Sequence, residues 1–219
     1  MIGARQGPAA GDRQSVETRS LFATPMAVAV LPGADSLNPV LKGMVLGLES
    51  EAKSLEGAWQ SAWSVAPAKA AALQTVIEAA CDLATGLTGD RARHRGTAQW
   101  RISWRATVLR QGQSLEIHGH PSHLWSATYF VDDGAAATAP GSGGELEFQD
   151  PRGVAPVMYA PNLTYAYPDG ATLGVSQTLT PRAGALVVYP GWLLHGVAHY
   201  RGPGERISIS LNLKARDPT

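Results

Sequence analysis

Residues 206–213 read Arg206-Ile207-Ser208-Ile209-Ser210-Leu211-Asn212-Leu213. Polar and apolar side chains alternate without a break, which is the period of a β-strand whose two faces meet different surroundings. Arg206 and Ser208 share one face. Ile207, Ile209, Leu211 and Leu213 form the other, suited to packing against helices or a second sheet.

Upstream the same signal recurs. Trp100 to Ala106 alternates apolar and polar, and short strands are predicted at Leu115–His120, Trp125–Val131, Glu145–Phe148, Gly174–Thr180 and Ala185–Tyr189. Short strands separated by Gly/Pro turns predict a mainly β fold with flanking helices, a jelly roll or related barrel. The chain's 24 glycines and 15 prolines suit so many turns. Residues 1–20 are polar and aperiodic and are expected to be a mobile arm. Residues 21–219 are read as one domain in two parts. Segment 21–96 supplies a strand at Leu21–Leu31 and covering helices at Leu37–Lys53 and Ala66–Leu87; segment 97–213 supplies the jelly-roll core. The Ala/Gly/Ser-rich stretch Asp132–Gly144 is expected to be a flexible excursion. The Tyr- and Pro-rich connection 151–173 is expected to act as a lid.

Composition narrows the function classes. Of 219 residues, 44% are hydrophobic, enough for a substantial core. Lys+Arg and Asp+Glu are 18 each, so net charge gives no case for general nucleic-acid or membrane-surface binding. A local basic patch of Arg91, Arg93, Arg95, Arg101 and Arg105 is the one qualification. Cys81 is alone, which excludes an internal disulfide. With no secretory pattern and no apolar run of membrane-spanning length, a cytoplasmic protein is expected.

The chemistry is carried by histidines. His118 and His120 are one residue apart on a predicted strand and therefore face the same way. His195 follows a predicted buried strand and the turn Pro190-Gly191-Trp192. Two imidazoles from one strand and one from another can converge on a metal ion, and imidazole suits iron, zinc, copper and nickel. The Arg206 fork pairs bidentately with a carboxylate, and the Ser208 hydroxyl adds a hydrogen bond. The bland alternative for Arg206 is an edge-strand arginine paired with a surface acid. Together these residues predict an iron site with an acidic cosubstrate. His123 and Trp192 are candidates for the substrate side. His94, in the basic run, and His199 are read as surface residues.

Several segments taken in order resemble a family of uncharacterised 2-oxoglutarate-dependent iron(II) oxygenases over about residues 21–213. They are Leu21–Pro25, Gly57–Ser61, His118-Gly119-His120-Pro121, Ser126–Val131, Gly144–Arg152, Pro190–His195 and Arg206-Ile207-Ser208. The resemblance implies a double-stranded β-helix, the cupin-like jelly roll, with iron at its open end. It implies Fe(II), 2-oxoglutarate as cosubstrate and O2, with hydroxylation of a C–H bond and release of succinate and CO2. The broader superfamily uses His-X-Asp/Glu…His, and here His120 stands at the carboxylate position. The ligand set is therefore His118, His120 and His195, or one completed by a carboxylate elsewhere such as Asp150. The resemblance further implies that Arg206 and Ser208 grip the distal carboxylate of 2-oxoglutarate, with Tyr129 near the same pocket. No catalytic side chain is expected beyond the metal ligands. A small-molecule or peptide substrate is expected. The alternatives are a cupin-like metal-dependent dioxygenase or isomerase that does not use 2-oxoglutarate, and a β-sandwich binding module with incidental histidines.

Overall fold

The computed structural model describes residues 22–52, 57–64, 70–89, 98–155, 158, 160, 162–163 and 176–216. In chain order the elements are β1 (Ala27–Val30), α1 (Ala34–Glu51), β2 (Trp59–Gln60), α2 (Ala71–Gly86), β3 (Trp100–Leu109) and β4 (Leu115–His118). They continue with β5 (Trp125–Asp133), β6 (Leu146–Phe148), β7 (Gln177–Leu179), β8 (Ala185–Pro190), β9 (His195–Val197) and β10 (Arg206–Ala215). Six strands form a larger sheet in the order β1-β8-β5-β10-β3-β2, and four form a smaller one in the order β4-β9-β6-β7. All pairings are antiparallel. This is the predicted double-stranded β-helix.

The alternation in β10 sorts its side chains between two cores. Ile207, Ile209, Leu211 and Leu213 are buried with Ala127, Tyr129 and Val131 of β5 and Leu186 and Val188 of β8. Leu41 and Val45 of α1, and Leu73, Val76, Ala80 and Ala84 of α2, complete that layer from the helical side. Their three- and four-residue spacing lays one apolar stripe of each helix on the sheet. Each large aliphatic side chain so buried contributes about 1.5–3 kcal/mol. The opposite face of the large sheet looks onto the small one, where Phe130, Val187 and Tyr189 pack with Leu146, Phe148 and Leu193. With the outer face sealed by helices, the polar residues of β3, β5 and β10 are left pointing between the sheets.

Some boundaries and one loop differ from expectation. β1 is shorter than Leu21–Leu31. α1 begins at Ala34, after a left-handed Gly33, rather than at Leu37. β4 ends at His118, so His120 is not on a strand. Asp132–Gly144 is an ordered turn rather than a flexible excursion. The Asp132 and Asp133 carboxylates accept from the Gly134 and Ala135 amides at 2.9 Å each, and Ser142, Gly143 and Gly144 are buried. These local carboxylate–amide bonds fix the turn despite its linker-like composition. The arm expected over 1–20, the arginines at 91–95 and most of the 151–173 connection lie outside the described residues. No helix among the described residues is long and apolar enough to cross a membrane.

Candidate metal centre

His118 and His195 are register partners across the β4–β9 ladder. Residues directly opposite in an antiparallel pair hold their Cβ atoms about 5 Å apart. The two rings are accordingly 4.6 Å apart, and His120 stands 5.1 Å from His118 and 5.3 Å from His195. One nitrogen from each lies within 4.8 Å of the others. His118 Nδ1 meets the Glu116 carbonyl at 2.8 Å, and His195 Nδ1 meets the Leu193 carbonyl at 2.8 Å. A carbonyl can only accept, so both Nδ1 atoms carry the proton and both Nε2 atoms are left to ligate. His120 is positioned differently. Its backbone N–H donates to the Gly191 carbonyl at 2.7 Å, and Asn212 Nδ2 lies 3.4 Å from its Nδ1. Gly191 must be glycine for this arrangement, because a Cβ there would sit 2.3 Å from the His123 carbonyl oxygen. Burial, and then the charges of the neighbouring imidazoles, lowers His120 to about 4. Burial lowers His195 to about 4 as well, against an opposing pull from the Leu193 carbonyl. Both are neutral at physiological pH, as metal ligands must be.

The same pocket holds Arg206. Its side chain is completely buried. Nε donates to the Gly144 carbonyl at 2.8 Å, Nη1 reaches Ser208 Oγ at 3.4 Å, and the guanidinium lies 5.2 Å from the Phe130 ring centre. Nη2 is buried without a partner. Burial pulls its pKa down to about 10, so the group stays charged near neutrality. A buried cation with an unused donor is costly unless an anion completes it. Gly144 shapes this cradle: at φ +76°, an added Cβ would stand 3.0 Å from both Arg206 Cδ and Tyr200 Cδ2. Three imidazoles suit a divalent transition metal, and the incomplete guanidinium suits a carboxylate. Gln60, Trp63, Arg105, Thr128, Tyr189, Ser208 and Ser210 line the space between them.

Other expectations are redirected. Tyr129 does not line the pocket: it packs in the helix-facing core and its hydroxyl donates to Asn38 Oδ1 of α1 at 2.7 Å. Alternation along β5 is the cause, turning Thr128 inward, where its hydroxyl pairs with that of Tyr189 at 3.0 Å. Asp150 binds the Arg152 side chain at 2.8 Å, and the metal-ligating group found among the described residues consists of the three histidines without it. His123 stands 6.5 Å from His120, and Trp192 is half exposed; neither lines the pocket. Arg105, one of the five arginines of the local basic patch, lines the pocket. The signal was present: Ser103, Arg105 and Thr107 form the polar row of a strand whose other row is apolar. Nothing local marked Trp63, which reaches the site from just beyond the short edge strand that holds Gln60.

Comparison with known proteins identifies a family and a shared fold. Residues 102–212 match the sequence profile of a family described as "Putative 2OG-Fe(II) oxygenase". No protein of curated function matches the sequence. Among solved structures, a Pseudomonas putida prolyl-4-hydroxylase is similar at 19% identity and TM-score 0.61, over 90% of this chain and 95% of that one. A Trichoplax adhaerens prolyl hydroxylase, solved with a peptide fragment of hypoxia inducible factor, is similar at 12% identity and TM-score 0.59, over 89% and 85%. HygX from Streptomyces hygroscopicus, solved with nickel and 2-oxoglutarate, is similar at 12% identity and TM-score 0.55, over 90% and 85%. At these identities the likenesses speak for the fold.

Proposed function

The chain belongs to the 2OG-Fe(II) oxygenase family, and on that premise we propose that it hydroxylates a C–H bond of a small-molecule or peptide substrate. The observation that carries this reading is a fully buried arginine, Arg206, with an unused donor, in the same pocket as three converging imidazoles. His118, His120 and His195 would hold the iron, and Arg206 with Ser208 would hold the distal carboxylate of 2-oxoglutarate. The bound iron and cosubstrate supply the oxidative chemistry, in which one oxygen atom enters succinate, formed with CO2 from 2-oxoglutarate, and the other enters the product.

The chain's own residues supply order. The Glu116 and Leu193 carbonyls fix the tautomer of two ligands. The Gly144 carbonyl bonds the guanidinium and the Phe130 ring lies against it, so it is oriented in advance and little entropy would be lost when an anion docks. Leu146, Val197 and Tyr189 wall the space against bulk water. A peptide-bound relative of the same fold supports keeping peptides among the substrate classes. A three-histidine site that used no 2-oxoglutarate would leave the Arg206 charge buried without an anion, which argues against the cupin-like alternative.

Anaerobic titration of iron-loaded protein with 2-oxoglutarate tests the assignment. A weak visible charge-transfer band is expected in wild type. It should vanish in His195→Ala and weaken greatly in Arg206→Ala. An iron-containing, folded wild type that gives no band sinks the proposal.

A further inference from the structure

We propose that Arg105 is the docking point for a carboxylate of the primary substrate, so that the substrate is an acid bound beside His120. This inference rests on the function proposed above. With the imidazoles assigned to iron and Arg206 to the cosubstrate, Arg105 is the remaining cation among the residues lining the pocket. Its Nε is buried with no hydrogen-bond partner, and no carboxylate among the described residues pairs with it. A guanidinium in that condition awaits an acceptor, and its planar fork fits a carboxylate.

The surroundings aim it. The Trp63 ring lies 4.7 Å from the guanidinium carbon and backs the fork with an apolar face. Trp63 in turn meets His120 edge-on, with ring centres 5.6 Å apart. A ligand held by Arg105 therefore lies next to a metal ligand. Arg105 is also separated from the cosubstrate's anchor. In the β3–β10 ladder it faces Ser210, whereas Arg206 faces Leu109. An offset of four residues between adjacent strands puts the two arginine backbones about 14 Å apart. Arg206 is fully buried, whereas Arg105 is half-buried beside Trp63, which touches His120, so the two charges serve different parts of the pocket. Gln60, which donates to Thr107 Oγ1 at 3.3 Å, lines the pocket on the same edge and offers a second polar group.

The acid has two sources, a free small molecule or a peptide side chain, and two probe panels separate them. Protein loaded anaerobically with Fe(II) and 2-oxoglutarate is titrated calorimetrically. One panel holds free L-amino acids and their carboxamides. The other holds end-blocked peptides carrying Asp or Glu, matched to Asn or Gln. In one panel wild type should prefer an acid over its amide by ~10-fold or more, the range of a charge-assisted hydrogen bond. Arg105→Gln should erase that preference while moving the 2-oxoglutarate Kd less than about twofold, and Arg105→Lys should keep part of it. Arg206→Gln should do the reverse and weaken 2-oxoglutarate strongly. Three results overturn the inference: no acid preferred over its amide in either panel, a preference that survives Arg105→Gln, or 2-oxoglutarate weakened by Arg105→Gln as much as by Arg206→Gln. A wild type that takes up iron but no 2-oxoglutarate overturns this inference and the proposed function together.

Discussion

Arg206 holds its charge fully buried, with Nη2 unpartnered and no carboxylate among the described residues in ion-pair contact with it. Such a residue is expensive to the fold and valuable only to a ligand. Replacing an uncompensated buried charge with an apolar side chain of similar volume is often neutral or stabilising, because a desolvation cost of several kcal/mol disappears. Arg206→Met is therefore expected to leave the melting temperature of the metal-free protein level or raised. The same change should weaken 2-oxoglutarate by roughly 100-fold, since a buried charge pair loses one partner. Thermal melting with and without the cosubstrate reads both effects. A steep fall in melting temperature with cosubstrate affinity intact would mean that the guanidinium serves the fold. Gly144→Ala probes the same cradle from the other side. Its left-handed backbone costs a non-glycine residue about 1–2 kcal/mol, and the new methyl would press on Arg206 Cδ. Lower stability and weaker cosubstrate binding are expected together.

At the scale of elements, strand parity decides who faces the site. Tyr129 and Thr128 are neighbours in β5, and one residue of register separates a core contact with α1 from a place in the pocket. Tyr129→Phe should cost about 1 kcal/mol through the lost bond to Asn38 and leave 2-oxoglutarate affinity within about twofold. A tenfold loss of that affinity would return Tyr129 to the pocket. Parity also explains what the sequence made legible. The shared face of Arg206 and Ser208 is legible because β10 alternates for its whole length, and the approach of His118 to His195 follows from their places on paired strands. His120 had the right direction for another reason, since it is held by the Gly191 turn and not by a ladder. Trp63 and Gln60 could not be read locally, because their role depends on β2 pairing with a strand some fifty positions downstream. Asp132–Gly144 departs from its linker-like composition because composition does not register the two aspartates that tie the turn. Gly191→Ala tests the turn: the methyl would displace the His123 carbonyl and with it the support of His120, so iron affinity should fall ~10-fold or more.

The whole molecule is two sheets clamped around a polar seam, and the seam couples stability to pH. His120 and His195 titrate near 6.5 in an unfolded chain and are lowered to about 4 here, chiefly by burial. Above pH 6.5 both states leave them neutral, and they contribute nothing to the pH dependence. As pH falls from 6.5 to 4 the unfolded chain takes up protons that the folded metal-free protein refuses, so unfolding becomes easier. The loss should be on the order of a few kcal/mol for the pair, discounted at His120 for its partial exposure. Carboxylates also titrate in that range, so the comparison must be with a double variant, His120→Gln with His195→Gln, which removes these two groups alone. Urea midpoints of the chelated proteins between pH 7.5 and 4 are expected to diverge below 6.5, with wild type falling faster. Iron should close the gap at the upper end of the window, because it binds the neutral imidazoles of the folded state and adds to its stability in proportion to the logarithm of metal over Kd. Parallel curves for wild type and double variant would mean that burial does not suppress protonation of these histidines, and the neutral ligand set inferred from the geometry would not stand.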